Sequence, residues 1–250
     1  LAVHERSLLR FVDYAIPGVN TPMLYFGMLF SMFCWHVEDG FMYSTSYLHE
    51  GAPKTWYGIS PKRAFDFEDV FASALPQGVE NDPELFLKKA SMVSPGEIAA
   101  AGVPVCRALQ KPGMFVVTLP QGYHAGFSHG FNTAEAVNFM LVDWLQYATA
   151  ASRRYQELGK EPVIDLDAIL AKALGEAGED GLGHSPETAA LLASVIEANL
   201  AQRAAFRKKP GPADRAERRE LAMDERDRGY ALGRGPPCAV CGHVCHFSFV

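Results

Sequence analysis

The stretch "PMLYFGMLFSMFCWHVEDGFMYSTSYLHEGAPKTWYGIS", residues 22–60, decides the fold class of this 250-residue chain. Its segments are rich in aromatic and β-branched residues, and Gly27, Gly40 and Pro53 interrupt them. A composition of this kind, broken at such intervals, is typical of β-strands separated by turns. We therefore expect the front half of an antiparallel barrel or sandwich in this part of the chain.

A helical periodicity replaces the strand pattern over residues 61–102. Within it, Ser94 and Glu97 have the spacing of a capping box, with Pro95 at the first helical position. Strand-like segments return between residues 103 and 144. The chain is therefore predicted to form a mainly β fold with helices, in which a helical insert divides one barrel.

The rest of the chain changes composition twice. Residues 147–206 have helical periodicity and predict a separate helical module. Residues 207–236 are dense in charge and flanked by glycine and proline, so we expect a linker or a solvated helix. The barrel is assigned to residues 1–146 and a cysteine-rich end to residues 237–250. Because the chain opens on leucine and stops inside that end, we expect a piece of a longer protein.

Composition excludes some classes of function. The chain is 48% hydrophobic and 21% charged, which is typical of a soluble globular protein. No run of apolar residues reaches the roughly 20 residues that a membrane-spanning helix needs, and no signal segment opens the chain. We therefore expect an intracellular protein without membrane contact. The formal net charge of −6 argues against direct DNA contact and suits a basic peptide as partner.

The segment "FCWHVEDGF", residues 33–41, places His36 and Glu38 two positions apart inside an apolar run. Alternate residues of a strand share a face, so these two side chains, with Cys34, are predicted to point into the barrel. A buried glutamate is costly unless it is paired or coordinated, and nothing basic lies near it in sequence. A metal ion would remove this cost, although an H-x-E triplet alone is common without one. Two histidines and one carboxylate are the ligands of non-haem Fe(II) oxygenases.

A third ligand must come from elsewhere in the chain. The other histidines are His4, His49, His124, His129, His184, His243 and His246. Only His124 and His129 lie in a late strand of the expected sheet, in a segment rich in glycine and aromatic residues, where the backbone can approach a buried group closely. We prefer His124 because it is nearer the body of the strand, and we expect His49 and His129 to be structural.

Residues 18–60 and 115–144 together resemble the JmjC domain of histone lysine demethylases. The stretches that carry the resemblance begin "GVNTPMLYFGMLFSMFCWHVEDGF" and "FVVTLPQGYHAGFSHGFNTAEAVNF", and the likeness spans residues 18–146. Proteins of this family are Fe(II) and 2-oxoglutarate dioxygenases built on a double-stranded β-helix, a cupin-like jelly roll. The resemblance therefore implies that fold, with Fe(II) as cofactor and 2-oxoglutarate as co-substrate.

The resemblance also implies a role for individual residues. The iron ligands that it implies are His36, Glu38 and His124. The residues implied to bind 2-oxoglutarate are Phe33, Ser46, Lys54 and Trp56, with Lys54 pairing with the distal carboxylate. The residues implied to lie beside the methylated lysine are Gly18, Tyr25, Ala136 and Asn138. Ser46 departs from the family, which has an asparagine there, and a serine is shorter with fewer donors. For Asn138 a structural hydrogen bond is the alternative, because a polar side chain in an apolar strand needs a partner.

The end of the chain, "PPCAVCGHVCHFSFV", resembles the start of the C5HC2 zinc finger that follows the JmjC domain in lysine demethylase subfamily five and its plant relatives. Cys238, Cys241 and Cys245 are then ligands of an incomplete Zn(II) site, since a closed site needs four ligands. Ala136 and Val137 lack the hydroxyl groups that subfamily four carries at these positions. Both features point to subfamily five.

The resemblance implies an enzyme that removes methyl groups from histone H3 lysine 4, in its trimethyl or dimethyl form. Hydroxylation of the N-methyl carbon with release of formaldehyde is the implied reaction. The implied partners are the methylated H3 tail and chromatin complexes, and the implied location is the nucleus. Two other functions stay open, namely an inactive JmjC scaffold that binds chromatin and a protein hydroxylase with a non-histone substrate.

Overall fold

A computed structural model describes residues 1–82, 85, 88–158, 161–175 and 186–208 of the chain. The chain divides into two compact units. The first unit contains residues 1–10 and 15–147, and the second contains residues 11–14 and 148–250. Among the described residues, no helix is both long and apolar enough to cross a membrane.

The first unit is built from β-strands in two antiparallel sheets. The strands are β1 (Met23–Gly27), β2 (Met32–His36), β3 (Tyr43–Gly51), β4 (Lys54–Gly58), β5 (Cys106–Gln110), β6 (Phe115–Thr118), β7 (His124–Ser128) and β8 (Asn132–Phe139). One sheet has the order β1-β8-β3-β6 and the other has the order β2-β7-β4-β5. Successive strands alternate between the two sheets, except that β4 and β5, which flank the helical insert, pair within the second sheet. This is the topology of a jelly roll. The predicted double-stranded β-helix, divided by a helical insert, is confirmed.

The helical insert lies between β4 and β5 and packs on the outside of the second sheet. Its helices are α1 (Ala64–Ala74), α2 (Pro76–Asn81) and α3 (Pro95–Ala100). Phe67 of α1 is fully buried, and its ring centroid lies 5.2 Å from that of Trp35 and 4.5 Å from that of Tyr123. Ser94 is the N-cap of α3, as predicted, and accepts a hydrogen bond from the backbone amide of Gly96 rather than from that of Glu97, which a capping box would use.

Strand register determines which side chains face the interior between the sheets. In the first sheet, Ser46 of β3 lies opposite Ala136 of β8 and Val116 of β6. In the second sheet, Lys54 of β4 lies opposite Ser128 of β7 and Gln110 of β5. Residues paired across antiparallel strands share a face, so each set projects to one side of its sheet.

This inner face is unusually polar for a protein core. Its buried polar side chains are Ser44, Ser46, Lys54, Gln110, Thr118, His124, Ser128 and Asn138. The hydroxyls of Ser44 and Thr118 satisfy each other at 2.6 Å. A core that keeps so many polar groups is better suited to hold a polar ligand than to serve packing alone.

The second unit is helical in its described part. Its helices are most of α4 (Leu145–Glu157), α5 (Leu166–Gly175) and α6 (Pro186–Lys208). The Asp165 carboxylate accepts a hydrogen bond of 2.9 Å from the Ala168 amide at the start of α5. The Lys172 ammonium donates to Asp13 and to the Phe11 carbonyl at 2.9 Å each. Most of the charged segment and the whole cysteine cluster lie outside the described residues.

Candidate metal centre and the residues around it

Three metal-capable side chains meet at one end of the second sheet. His36 is the last residue of β2 and lies opposite His124, the first residue of β7. Glu38 follows two positions later, in extended backbone just before the short 3-10 helix Asp39–Phe41. One ligand atom from each of the three side chains lies within 4.8 Å of the other two. Ligands that are distant in sequence therefore converge because β2 and β7 are neighbours in the sheet.

A bulge in β2 brings the inner residues of this strand to one side. Phe33 pairs with Gly126 and His36 pairs with His124, so three steps along β2 match two steps along β7. Strict alternation would place Phe33 and His36 on opposite faces, but the extra residue turns both of them inward. β2 ends at His36, so the strand is shorter than predicted, but Glu38 follows in extended backbone and lies beside His36 as predicted. Cys34, expected on the same face, is not part of the metal-capable group among the described residues.

Backbone carbonyls fix the orientation of both imidazole rings. His36 Nδ1 lies 2.7 Å from the Cys34 carbonyl oxygen, and His124 Nδ1 lies 3.0 Å from the Gly122 carbonyl oxygen. A carbonyl oxygen only accepts, so each Nδ1 donates its hydrogen and each Nε2 is left with a lone pair. The two Nε2 atoms face the same carboxylate oxygen of Glu38, at 3.8 Å from His36 and 3.3 Å from His124.

The protonation states also suit a cation. Burial, together with the neighbouring charge of His124, lowers the pKa of His36 to about 3, so its imidazole is neutral at physiological pH. Burial alone would raise the pKa of Glu38, but in the metal-free site a hydrogen bond and positive charge from His124, which a bound cation would replace, and the charge of Lys89 hold it well below its usual range. The site thus offers an ionised carboxylate and, at His36, a neutral imidazole nitrogen.

The geometry of these three side chains fits a bound metal ion. Two ligands at right angles, each about 2.1 Å from a metal, lie about 3 Å apart. The observed separations of 3.3 Å and 3.8 Å are close to this value. Lone pairs from three side chains facing each other in a nearly buried place need a shared cation, and an ion bound here would have its remaining positions open.

Lys89 is a neighbour of this site that the sequence did not suggest. Its ammonium lies 3.8 Å from Oε2 of Glu38, the oxygen turned away from the imidazoles. It belongs to the insert, whose chain is held against β2 by hydrogen bonds from the Trp35 amide to the Ser91 carbonyl and from the Trp35 indole to the Val93 carbonyl. The absence of a nearby base in sequence therefore did not mean the absence of one in space.

Lys54 is a nearly buried lysine whose ammonium has no protein partner among the described residues. It begins β4, is only 9% exposed, and burial lowers its pKa. Within the described part of the chain, its ammonium has neither a carboxylate nor a hydrogen-bond acceptor as partner. A buried unpaired ammonium costs free energy, and an anionic ligand that entered the barrel would remove this cost.

Two aromatic rings stand between Lys54 and the metal-capable group. The ring centroids of Phe33 and Trp56 are 4.5 Å apart, and Trp56 stacks beside His124 at 6.0 Å. Gly126 makes this packing possible, since a Cβ there would lie 2.4 Å from Phe33 Cζ and 2.2 Å from the Thr55 carbonyl. The four residues predicted to bind co-substrate divide between the sheets, with Ser46 alone on the first sheet.

The residues predicted to lie beside the substrate fall into two groups. Gly18, with φ of 81°, is close to Tyr25, since a Cβ on it would lie 3.9 Å from the tyrosine oxygen. Tyr25 lies on the edge strand β1 and is 44% exposed. Ala136 shares the inner face with Ser46, and the Asn138 amide donates 3.0 Å to the Tyr43 carbonyl. The alternative of a structural hydrogen bond for Asn138 is thus observed.

Among the described residues, the metal-capable group contains no histidine besides His36 and His124. His129 Nε2 lies 2.8 Å from the Thr55 hydroxyl, and His49 Nε2 lies 3.0 Å from the Glu135 carboxylate. The predicted zinc ligands Cys238, Cys241 and Cys245 lie outside the described residues, so the zinc prediction stays a prediction.

Comparison with known proteins points to one family. Residues 23–139 match the family model described as JmjC domain, hydroxylase. Lysine-specific demethylase JMJ706 of Oryza sativa subsp. japonica is 47% identical over 176 residues, which are 68% of this chain and 20% of that protein. The putative lysine-specific demethylase JMJ16 of Arabidopsis thaliana is 46% identical over 170 residues, 68% of this chain and 14% of that protein.

A vertebrate relative gives a similar result. Lysine-specific demethylase 5B of Gallus gallus is 42% identical over 177 residues, which are 71% of this chain and 12% of that protein. The chain therefore spans at most about a fifth of the length of these curated relatives. Both a subfamily-five protein and plant demethylases are among the relatives, as the resemblance implied.

The fold is a jelly roll, and two histidines and one carboxylate meet at the end of neighbouring strands. This combination is typical of proteins that bind one metal ion inside a barrel, with the ligand set of non-haem Fe(II) oxygenases. Residues 23–139 belong to the JmjC domain family.

Proposed function

We propose that this chain carries the catalytic part of an Fe(II)- and 2-oxoglutarate-dependent dioxygenase that removes methyl groups from histone lysine. The convergence of His36, Glu38 and His124, with ligand atoms within 4.8 Å of one another, is the observation that carries the proposal. The names of the relatives, lysine-specific demethylases, support lysine as the residue acted on. We assign catalysis to residues 1–146, with residues 147–206 as a helical module, 207–236 as a linker and 237–250 as the start of a zinc finger.

The residues of this chain have separate tasks in the proposed reaction. Iron with 2-oxoglutarate supplies the oxygen activation that side chains cannot perform themselves. His36 and His124 hold the ion through neutral Nε2 atoms because their Nδ1 hydrogens are used by backbone carbonyls. The Lys54 ammonium pairs with the distal carboxylate of 2-oxoglutarate, and Phe33 and Trp56 cover the space between and exclude water.

The proposed substrate is histone H3 methylated at lysine 4, in the trimethyl or dimethyl form. Ala136 faces inward without a hydroxyl, whereas Val137 alternates to the outer face beside Thr45, so only Ala136 is placed to affect a substrate inside the barrel. The formal charge of −6 suits a basic histone tail. Chromatin complexes as partners, the nucleus as location and Zn(II) bound by the terminal cysteines belong to the same proposal.

Formaldehyde release tests this proposal directly. The full chain is mixed with a trimethyl-lysine 4 H3 peptide, Fe(II) and 2-oxoglutarate, and His36→Ala is the matched inactive control. Release that requires both Fe(II) and 2-oxoglutarate, and that is lost in the control, supports the demethylase.

Mass spectrometry of the same peptide separates the other functions. A stable gain of one oxygen without loss of a methyl group would show a protein hydroxylase instead. No turnover, with binding of the peptide retained, would show a chromatin-binding scaffold, the function that Ser46 in place of the family asparagine favours.

A further inference from the structure

Gln110 of β5 is a buried amide whose polar atoms are all used between the two sheets. It is 1% exposed and lies opposite Lys54. Its Oε1 accepts a hydrogen bond of 2.8 Å from the Trp56 indole. Its Nε2 donates to the Ser46 carbonyl at 2.9 Å and to the Met114 carbonyl at 3.2 Å.

Only one orientation of this amide satisfies its surroundings. A flipped amide would set its NH₂ group against the indole N–H of Trp56 and its oxygen against two carbonyl oxygens. Three hydrogen bonds would be lost together, in an interior where unpaired polar groups are costly. Gln110 is therefore held at both ends, by the second sheet through Trp56 and by the first sheet through the backbone at Ser46.

Trp56 transmits this constraint to the metal-capable group. Its indole has one donor, and Gln110 accepts it, so the hydrogen bond fixes the rotation of the ring. The same ring lies 4.5 Å from Phe33 and 6.0 Å from His124, between centroids. On the opposite sheet, the hydrogen bond to the Ser46 carbonyl fixes the backbone of β3. Gln110 thereby holds two predicted co-substrate residues at a set separation.

We infer that Gln110 is a positioning residue for 2-oxoglutarate, acting through the Trp56 indole and the backbone at Ser46. This inference rests on the proposed function, since it takes 2-oxoglutarate as the occupant of the space beside Lys54. It predicts a loss of co-substrate affinity while the metal ligands stay as they are, because Gln110 has no contact with His36, Glu38 or His124 among the interactions described here.

The first test measures co-substrate binding without turnover. The full chain is loaded with Mn(II) in place of iron, and 2-oxoglutarate is titrated by calorimetry into the unchanged chain and into Gln110→Met. We expect the dissociation constant for 2-oxoglutarate to rise about tenfold, which corresponds to about 1.4 kcal/mol, within the usual net contribution of a lost hydrogen bond. Mn(II) affinity should not change. In turnover with the iron-loaded chain, KM for 2-oxoglutarate should rise while kcat changes little.

Tyr43→Phe is the matched control. It removes another largely buried side-chain hydrogen bond, the 2.7 Å bond to Asp143, which lies on the outer face of the first sheet. This variant should keep the affinity for 2-oxoglutarate of the unchanged chain. Equal losses in Gln110→Met and Tyr43→Phe would show a general effect of stability and would overturn the inference.

Two further measurements separate positioning from folding. In a Trp56→Phe background, Gln110→Met should weaken 2-oxoglutarate binding much less than in the unchanged chain, because the two residues act as one unit; additive losses would contradict this. In the metal-free chain, the Trp56 indole hydrogen should exchange faster in Gln110→Met. An exchange rate in Gln110→Met equal to that in the unchanged chain would count against the inference.

The failures of the two proposals are distinguishable. If the unchanged, Mn(II)-loaded chain does not bind 2-oxoglutarate, the proposed function fails and the role of Gln110 fails with it. If the unchanged chain binds 2-oxoglutarate and Gln110→Met binds it equally well, only the positioning role is refuted.

Discussion

Replacing Lys54 with methionine should destroy co-substrate binding and yet stabilise the protein without co-substrate. Methionine keeps the length and most of the volume of the side chain and removes its charge. In the folded protein, the Lys54 side chain is nearly buried, its ammonium has no protein partner among the described residues, and burial lowers its pKa. The folded protein thus holds a charge whose cost only an anion can offset.

The magnitude on the binding side follows from breaking a buried ion pair. Removing one partner of such a pair costs about 3 to 5 kcal/mol, because the other charge stays buried alone. With each 1.4 kcal/mol worth about tenfold in the dissociation constant, Lys54→Met should weaken 2-oxoglutarate binding at least about 100-fold. The carboxylate that suffers is the one distal to the metal, so Mn(II) affinity should be unchanged.

The lowered pKa of Lys54 also determines how the stability of the protein without co-substrate depends on pH. The pKa of Lys54 is lower in the folded protein than in the unfolded chain, so between these two values the unfolded chain binds more protons. Stability therefore rises with pH through that alkaline window, and below it the full cost of burying the charge is present. At pH 7 the methionine variant, free of this cost, should unfold at a higher temperature than the unchanged chain when both lack co-substrate.

Calorimetry with Mn(II) and 2-oxoglutarate, and thermal unfolding without them, check both effects. Lys111→Met, which removes an exposed lysine from the turn after β5, is the matched control and should change neither quantity. If Lys54→Met bound 2-oxoglutarate within a few-fold of the unchanged chain, Lys54 would not be the carboxylate partner. If its melting temperature fell, the ammonium would have a stabilising partner in the folded state.

Three further predictions concern the site and its surroundings. Ser46→Asn restores the longer side chain usual in the family. It should tighten 2-oxoglutarate binding by about 1 kcal/mol, roughly fivefold, in the same calorimetric assay. An unchanged or weaker affinity would show that the side chain at position 46 does not reach the co-substrate. Gly126→Ala should destabilise the protein by about 1 to 3 kcal/mol, because its Cβ would lie 2.4 Å from Phe33 and 2.2 Å from the Thr55 backbone oxygen. Denaturant unfolding measures this loss of stability. An unchanged free energy of unfolding would mean that β4 and β7 separate easily. In the metal-free chain, folded His36 has a pKa of about 3 and stays neutral, while in the unfolded chain it takes up a proton below pH 6.5. The free energy of unfolding should therefore fall as the pH falls from 6.5 towards 3. His36→Phe should make this fall shallower, and an equally steep fall in that variant would show that other groups cause the loss of stability.

The strands of the barrel could be predicted because their signal is local. Residues 22–60 carry aromatic and β-branched segments with glycine and proline between them, and β1 to β4 occupy these segments. The cap at Ser94 was equally local, since it depends on one side chain and an amide two residues away. At the far end, "LVDW" was read with the last strand, but β8 ends at Phe139 and Val142–Trp144 form a 3-10 helix. Element ends are decided by small energies that a pattern of apolar residues does not resolve.

The metal-capable group was predicted by chemistry and resemblance, whereas its surroundings depend on contacts between distant segments. His36 and Glu38 stood out because buried charged groups need a reason. Lys89 and Gln110 did not stand out, because one is a lysine in a charged, solvated insert and the other a single amide on a short strand. Their positions, 3.8 Å from Glu38 and 2.8 Å from Trp56, follow only from the packing of the insert and from strand register.

The bulge in β2 allows Phe33 and His36 to face the same site. Strict alternation along the strand would set Phe33 on the face opposite to His36, whereas the resemblance implies that both lie in the pocket. Inserting one residue between them turns Phe33 inward over Gly126, and the lack of a side chain at Gly126 leaves room for its ring. The ring then packs on Trp56, whose orientation Gln110 fixes from the neighbouring strand. The bulge in β2 and the lack of a Cβ at Gly126 thus allow Phe33 and Trp56 to pack against each other beside the metal-capable group.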